Sequence, residues 1–314
     1  MALAYNDGTM AQTVIRQFRK EDAGKIVSLW NKTLNRDPIT GEMLELRTLK
    51  DPNFSAEGCL IAEGPGGQEG FVLAVAPGTR HRFAPPPGMG RVAGLGVLPS
   101  ARRHGVGASL MEAALAFLKG RKCAKVLYAA HEYWCAGLDK AYAEGTAFMA
   151  KAGFKEVGVA VAMGRLLYEV DVPAEVVENG KKLAARGINT GVYDPSEKQA
   201  LENFFTAEFP DWRDFFHEKL ERRDDLRDVY VARDNGKVIG YCQRLEADHV
   251  GPFGVSRDAR NLGIGSVMLY ALLDGLRARG YRFCWFGETG RAQPYYERAG
   301  FFITRRYSIL TREL

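Results

Sequence analysis

The sequence predicts an α/β protein made of two copies of one module, and three observations predict it. A strand, a basic turn and a glycine-opened helix occur as one stretch twice, with Arg-x-x-Gly-x-Gly at 102–107 and again at 260–265, 158 residues apart. Ala-Gly-Phe recurs at 152–154 and 299–301, 147 residues apart. Between these landmarks, short β-rich runs alternate with amphipathic helical runs. A repeat of this length denotes duplicated domains rather than a solenoid. Because the two offsets differ, the first copy carries extra loop between its turn and its Ala-Gly-Phe.

In chain order, residues 1–11 read as a loose leader, and Thr13 to Phe18 as a strand. Ile26, Val27, Leu29 and Trp30 are the apolar positions of a first helix. Residues 35–58 are polar and read as helix plus loop on the side of an acceptor. Cys59 to Ala62 and Phe71 to Val75 are paired strands around a Gly-Pro-Gly-Gly turn. The strand at 91–98 contains Leu95 and Val97. It meets a turn and helix start formed by Arg102, Arg103, His104, Gly105, Val106, Gly107 and Ala108. Lys125 to Ala129 is a strand, 131–146 the extra loop, and two strands are expected to finish near Tyr168. Pro173 starts a linking helix that Gly187 stops. The second copy opens with a strand at 188–192, then two helices rich in aromatics (Phe204, Phe205, Phe209, Trp212, Phe215, Phe216). Asn235-Gly236 between two β-rich runs signals a hairpin. The strand at 248–255, ending Phe253, Gly254, Val255, meets the second turn: Arg260, Asn261, Leu262, Gly263, Ile264, Gly265, Ser266. A strand at 281–286, a short helix to Gly300 and a hairpin over 301–312 complete the chain. The expected divisions are leader 1–11, first module 12–170, linker 171–187 and second module 188–314.

Composition narrows the function. The 314 residues suffice for two cores, with 46% hydrophobic and 26% charged residues. No apolar run reaches the roughly 20 residues of a membrane span, and the first ten residues lack a signal-peptide centre. Five scattered cysteines read as reduced thiols of a cytoplasmic protein, without metal-type spacing. A net charge of +5 is too small and dispersed for nucleic acid, and it suits an anionic cofactor.

The repeated turn supplies the chemistry for that anion. A helix start leaves main-chain N–H groups without intrahelical partners, and the helix dipole makes that end positive. Together they bind phosphate. Glycine keeps no side chain between backbone and anion, and Arg260 adds a charged contact. One such turn is explained by tight chain reversal alone; two copies favour a binding site. A nucleotide-binding P-loop is excluded, because no Lys-Ser/Thr follows Gly107 or Gly265.

These turns, with Tyr-x-x-x-Gly-Phe at 296–301, resemble the signature of the GNAT N-acetyltransferase family, and the resemblance covers most of the chain as two tandem modules. The arrangement is similar to that of the mycothiol synthases, although Thr289 stands where their Asn-x-x-Ala signature begins. The resemblance implies a mixed, mostly antiparallel central sheet flanked by helices in each module. Two central strands splay to form a cleft where the pantetheine arm of acetyl-CoA adds like a strand. The cofactor set it implies is the turn residues above with Phe253, Gly254, Val255, Thr289, Leu95 and Val97.

Acetyl transfer to an amine needs a base for the amine proton, a donor for the thioester oxygen and an acid for the departing thiolate. The Val255 N–H is the candidate oxygen donor. The resemblance implies Tyr296 as general acid, with Tyr295 facing the core, and His249, or a water relay through it, as general base. Asp248 and Glu246 stand as substitutes, because a β-bulge in this strand would upset simple alternation. In the first module Met149 and Arg91 occupy these two places, and neither does the chemistry near neutral pH. That module is expected to bind acetyl-CoA and to be catalytically silent, unless Tyr142, His131, Glu132 or Tyr133 of its extra loop substitute. The aromatic set lines the acceptor side, where Glu208, Asp211 and Asp214 are placed to attract a cation. The expected partner is a small-molecule or peptide amine, the expected state monomer or homodimer, without nucleic acid, membrane or metal. The alternative function is a non-catalytic acyl-CoA-binding sensor or scaffold.

Overall fold

A computed structural model describes residues 13–79, 84–128, 136–168, 170–221 and 224–314, the side chain of Glu246 excepted. The expected leader and His131, Glu132, Tyr133 and Cys135 lie outside the described residues. Two compact units emerge: Met1–Ala160 with Arg305–Leu314, and Val161–Thr304.

The first unit contains β1 (Val14–Gln17), α1 (Ala23–Thr33), α2 (Gly41–Leu44), β2 (Cys59–Gly64), β3 (Gly67–Val75), β4 (Met89–Val97), α3 (Val106–Gly120), β5 (Lys125–Tyr128), β6 (Leu138–Asp139), α4 (Ala143–Lys151) and the start of β7 (Lys155–Leu166). The second contains the rest of β7, α5 (Ala174–Ala185), β8 (Ile188–Val192), α6 (Lys198–Glu208), α7 (Arg213–Glu221), β9 (Val229–Asp234), β10 (Lys237–Glu246), β11 (His249–Val255), α8 (Ile264–Ala278), β12 (Phe283–Phe286), α9 (Gln293–Arg298) and the start of β13 (Phe302–Glu313).

In the first unit the strands run in the order β1-β2-β3-β4-β5-β13. Only β4–β5 is parallel in that series. Strand alternation sends successive side chains to opposite faces. Leu60, Val72 and Val92 therefore meet Leu110, Ala114 and Leu118 of α3. Ile61, Phe71 and Leu73 meet Ile26, Leu29 and Trp30 of α1. Each Val, Leu, Ile or Phe among them contributes about 1.5–3 kcal/mol by leaving water.

The second unit repeats the plan, ordered β8-β9-β10-β11-β12-β7, with β11–β12 parallel. Met268, Leu269, Leu272 and Leu276 of α8 cover one face, against Tyr230, Ile239 and Cys242. Phe204, Phe205 and Phe216 of α6 and α7 cover the other, against Val231, Val238 and Tyr241. Asn235 (φ 46°) and Gly236 (φ 85°) are both left-handed, the conformation a two-residue hairpin requires.

Two expectations are corrected. The two strands expected to end near Tyr168 are one, β7, and the hairpin expected over 301–312 is one strand, β13. Residues 302–313 contain no Gly, Pro, Asn or Asp, the strongest turn formers, so the strand runs on unbroken. The unit limits also differ from the expected 12–170 and 188–314, since Arg305–Leu314 belongs to the first unit. There Leu310 and Arg312 pair with Tyr128 and Val126, and Arg305 reaches Asp37 at 2.6 Å and Asp139 at 2.8 Å.

Cys59, Cys123, Cys242 and Cys284 are free and buried, and burial pushes the Cys59 and Cys284 thiols up to about 12. No helix among the described residues is long and apolar enough to cross a membrane.

Candidate functional site

The site of the second unit starts with a gap in its sheet. β11 and β12 are in register at a single pair, His249 with Trp285. Beyond it, residues 250–255 continue without a ladder on that side. On its other side β11 pairs with β10, Val255 opposite Gly240. The next residue, Ser256, donates its N–H to the Ile239 carbonyl at 2.8 Å. Opposed residues of an antiparallel ladder alternate between bonded and non-bonded pairs. Val255 therefore turns its own N–H and carbonyl away from β10, toward the gap. Arg260 Nε takes that carbonyl at 3.2 Å. The register of β10 against β11 shifts between Cys242 and Glu246, which is the expected bulge.

At the end of β11 the chain makes the phosphate turn. Asn261 (φ 65°) and Gly263 (φ 76°) are left-handed around Leu262, a backbone path that gathers successive N–H groups into a concave anion nest. Gly263 is the N-cap of α8 and no side chain caps the helix, so its first amides stay open to a ligand. A Cβ at Gly263 would stand 2.4 Å from Asn179 Nδ2, which donates to the Leu262 carbonyl at 3.0 Å. Asn179 lies on α5, 83 residues away in sequence, and no sequence signal connects it to the turn. Ile264, the first residue of α8, is buried in the core cluster, while Gly265 and Ser266 are half-exposed in the same turn.

Tyr296 projects from α9 with its ring 4.5 Å from Phe286 of β12 and 6.2 Å from Phe253 of β11. It thus touches both lips of the gap on the α8 face. Burial holds its phenol well above the ordinary tyrosine value, so it is a neutral O–H donor throughout the physiological range. Tyr295 is half-buried and packs against the α8 core cluster. It stacks on Phe253, its hydroxyl 3.5 Å from where a Cβ on Gly265 would stand.

His249 is buried and lies on the opposite face, because its neighbour Val250 turns into the α8 cluster. Its ring stacks on Trp285 at 3.9 Å, and Trp285 Nε1 donates to Asp248 Oδ1 at 2.9 Å. Asp248 thereby orients the ring stack. Thr289 is buried and donates its hydroxyl to the Val161 carbonyl at 3.1 Å, a bond of the fold. Phe209 and Trp212, stacked at 3.8 Å, press on the bare Cα of Gly254, where a Cβ would lie 2.7 Å from the indole. Glu208 accepts the Arg257 N–H at 3.2 Å, while Asp211 is exposed.

The first unit reproduces the turn but not the flanking groups. Val97 turns outward by the same logic, Leu98 N donating to Glu69 at 2.8 Å and Arg102 Nε bonding the Val97 carbonyl at 3.1 Å. Arg103 (φ 67°) and Gly105 (φ 83°) repeat the left-handed pair, and Gly105 caps α3 without a side-chain bond. Val106 is buried, and His104 and Ala108 are exposed. Leu95 is half-buried, and Gly107 meets Phe148 as Gly265 meets Tyr295. Both Arg102 and Arg103 pair with Glu144. At the two proton-handling places stand Met149 and Arg91, both buried. Tyr142 accepts the Arg36 N–H at 2.9 Å and donates to Asp37 at 3.3 Å, and burial pushes its phenol up to about 12. That bonding makes it a clamp on the loop after α1.

A further cavity of about 250 Å³, lined by Asp225, Asp228, Arg244, Arg279, Gly280 and Tyr281, is separate from this site. Both its arginines pair with the fully buried Asp228.

Comparison with known proteins follows the same division. The family described as acetyltransferase (GNAT) matches residues 28–154 and 193–301. No curated protein sequence matches the chain. Among solved structures, a GCN5-related glucosamine N-acetyltransferase region of a fungal multi-domain β-N-acetylglucosaminidase aligns with TM-score 0.80 at 20% identity, covering 96% of this chain. The chain spans only 38% of that protein. A GCN5-related N-acetyltransferase from Sphaerobacter thermophilus aligns with TM-score 0.70 at 19% identity, over 96% of this chain and 95% of its own. A tandem GNAT protein from the clavulanic acid biosynthesis pathway aligns with TM-score 0.65 at 16% identity, over 95% and 98%. At these identities the likeness is one of fold.

Proposed function

We propose, on the premise that this chain belongs to the acetyltransferase (GNAT) family, that its second unit moves an acetyl group from acetyl-CoA to a primary amine by direct transfer. The observation that carries this reading is the gap past His249 and Trp285, with the Val255 N–H turned toward it. An open strand edge beside an uncapped helix start suits an extended arm that ends in a pyrophosphate. The amides of Asn261 to Ser266, with Arg260, would hold the pyrophosphate, and Phe253, Gly254 and Val255 would hold the arm. Acetyl-CoA, when bound, supplies an activated acyl carbon.

The chain's own groups then divide the proton work by face. His249 takes the amine proton, directly or through a water, from the α6/α7 side. The Val255 N–H stabilises the charge that grows on the acyl oxygen. Tyr296, on the α8 side, donates its phenolic proton to the leaving sulfur. Acid and base on opposite faces fit a transfer that runs through the sheet gap, amine entering from one side and thiol leaving on the other. For the first unit, Met149 and Arg91 favour a second reading, an acyl-CoA-binding module without transfer.

The test measures CoA release from acetyl-CoA with a panel of primary amines. Tyr296→Phe is expected to lower kcat about 100-fold, with the KM for acetyl-CoA unchanged. Equal rates for wild type and variant would remove Tyr296 as the acid. Calorimetry that finds no binding of CoA at all would end the whole proposal.

A further inference from the structure

The second unit has a polar pair on its acceptor face that the transfer steps above do not use. Along β10, Ile239 and Cys242 belong to the α8 cluster, while Val238 and Tyr241 belong to that of α6 and α7. Alternation therefore puts Gln243 on the α6/α7 face, two residues past Tyr241. His249 is on this face, and so is the Gly254 Cα under Phe209 and Trp212. Gln243 lies where the ladder to β11 shifts, between the pairs Cys242–Phe253 and Arg244–Val250. Tyr241 and Gln243 are both 0% exposed. Yet neither the Tyr241 hydroxyl nor either end of the Gln243 carboxamide has a hydrogen-bond partner among the described residues.

Enclosing such a group unbonded is destabilising, and folded proteins keep few of them. Phe and Met would fill the same volume without that cost. The two side chains stand about 7 Å apart along the strand, at 3.4 Å per residue. A carboxamide both donates and accepts, and so does a phenol. Hydroxyl groups answer both. Phe205, 4.9 Å from the Tyr241 ring, and Phe216 pack edge-on against it, and such close aromatic walls suit a small molecule better than a polypeptide.

We propose that Gln243 and Tyr241 are specificity-determining residues, and that the acceptor is a small primary amine bearing hydroxyl groups, an amino alcohol or amino sugar. This rests on the reading of the second unit as an acetyltransferase.

The full chain is assayed with acetyl-CoA and matched amines: 2-aminoethanol against propylamine, glucosamine against cyclohexylamine, and a tripeptide with a free N-terminus. The hydroxylated member of each pair is expected to lead by about 100-fold in kcat/KM. Gln243→Met collapses that ratio toward one by raising the KM for the hydroxylated amine, while the KM for acetyl-CoA and the melting temperature hold or the latter rises. Tyr241→Phe removes one oxygen, lowers the same ratio by less, and decides the matter if the Met variant fails to fold. Equal turnover of paired amines, or a lead by the tripeptide, overturns the proposal and leaves acetyl transfer standing. So does an unchanged ratio in both variants. Turnover of no amine, with CoA still bound, overturns the transferase reading and this one with it.

Discussion

The two phosphate turns are nearly one structure, and the residues that flank them are not. Arg102 and Arg260 each fold back onto the last carbonyl of their strand through Nε, at 3.1 and 3.2 Å. Arg103 and Asn261 take the same left-handed conformation, as do Gly105 and Gly263. But His249 and Tyr296 of the second unit face Arg91 and Met149 at the matching places of the first. The acceptor side diverges too. In the first unit Arg36, Asp37, Asp139, Tyr142 and Arg305 form one bonded cluster. Both units nevertheless set stacked aromatics against glycines of the strand before the turn, Trp30 and Phe71 against Gly94 and Gly96 in the first, Phe209 and Trp212 against Gly254 in the second. Anion binding at a helix start is a property of backbone path, which tolerates many side chains. Proton transfer needs particular atoms. A duplicated module can therefore lose the second and keep the first.

The largest effect should come from removing residues 305–314. β5 and β6 lose their partner strand, the first-unit core loses Leu310, and Asp37 and Asp139 lose Arg305. Hydrogen exchange is expected to show lower protection over 125–128 in the truncated chain while 264–278 keeps its protection. Equal loss in both segments would break the contrast between the units.

Next comes pH. Tyr296 must be protonated to donate, and burial raises its pKa above the ordinary value of about 10. The rate is therefore expected to hold to at least about pH 10 and to fall only beyond it. A fall beginning near pH 8 would argue against Tyr296 as the acid.

The smallest difference lies in the turns themselves. Alanine in a left-handed site costs about 1–2 kcal/mol, and about 1.4 kcal/mol is tenfold in affinity. Gly105→Ala has open space around the new methyl, whereas Gly263→Ala meets Asn179 at 2.4 Å. Two-site calorimetry with CoA should show the heavier loss at the second site, and Asn179→Ala should ease it. Equal losses would mean that Asn179 does not shape the turn.

Much of this was legible in the sequence. The glycine turns, the Asn-Gly hairpin and the α3 and α8 helices stood at their expected places, because each depends on residues close together in the chain. The sheet gap followed from the family resemblance. What stayed hidden depends on distance. Asn179 reaches Leu262 from another helix, and β13 completes a unit that begins far upstream. Tyr295 and Tyr296 share one short helix, and their packing, not their spacing, decides which is enclosed. Gln243 shows its interest only through burial without a partner.

The placement of Arg305–Leu314 has a consequence for synthesis. The first unit is translated first, yet its last strand leaves the ribosome roughly 145 residues later, which at about 5–20 residues per second is on the order of ten seconds or more. Until then β5 lacks the neighbour that covers it. An exposed strand edge of this kind invites pairing with other chains. The nascent protein thus passes through an interval in which its first half is finished in sequence and open in structure, and a chaperone has its clearest opportunity there.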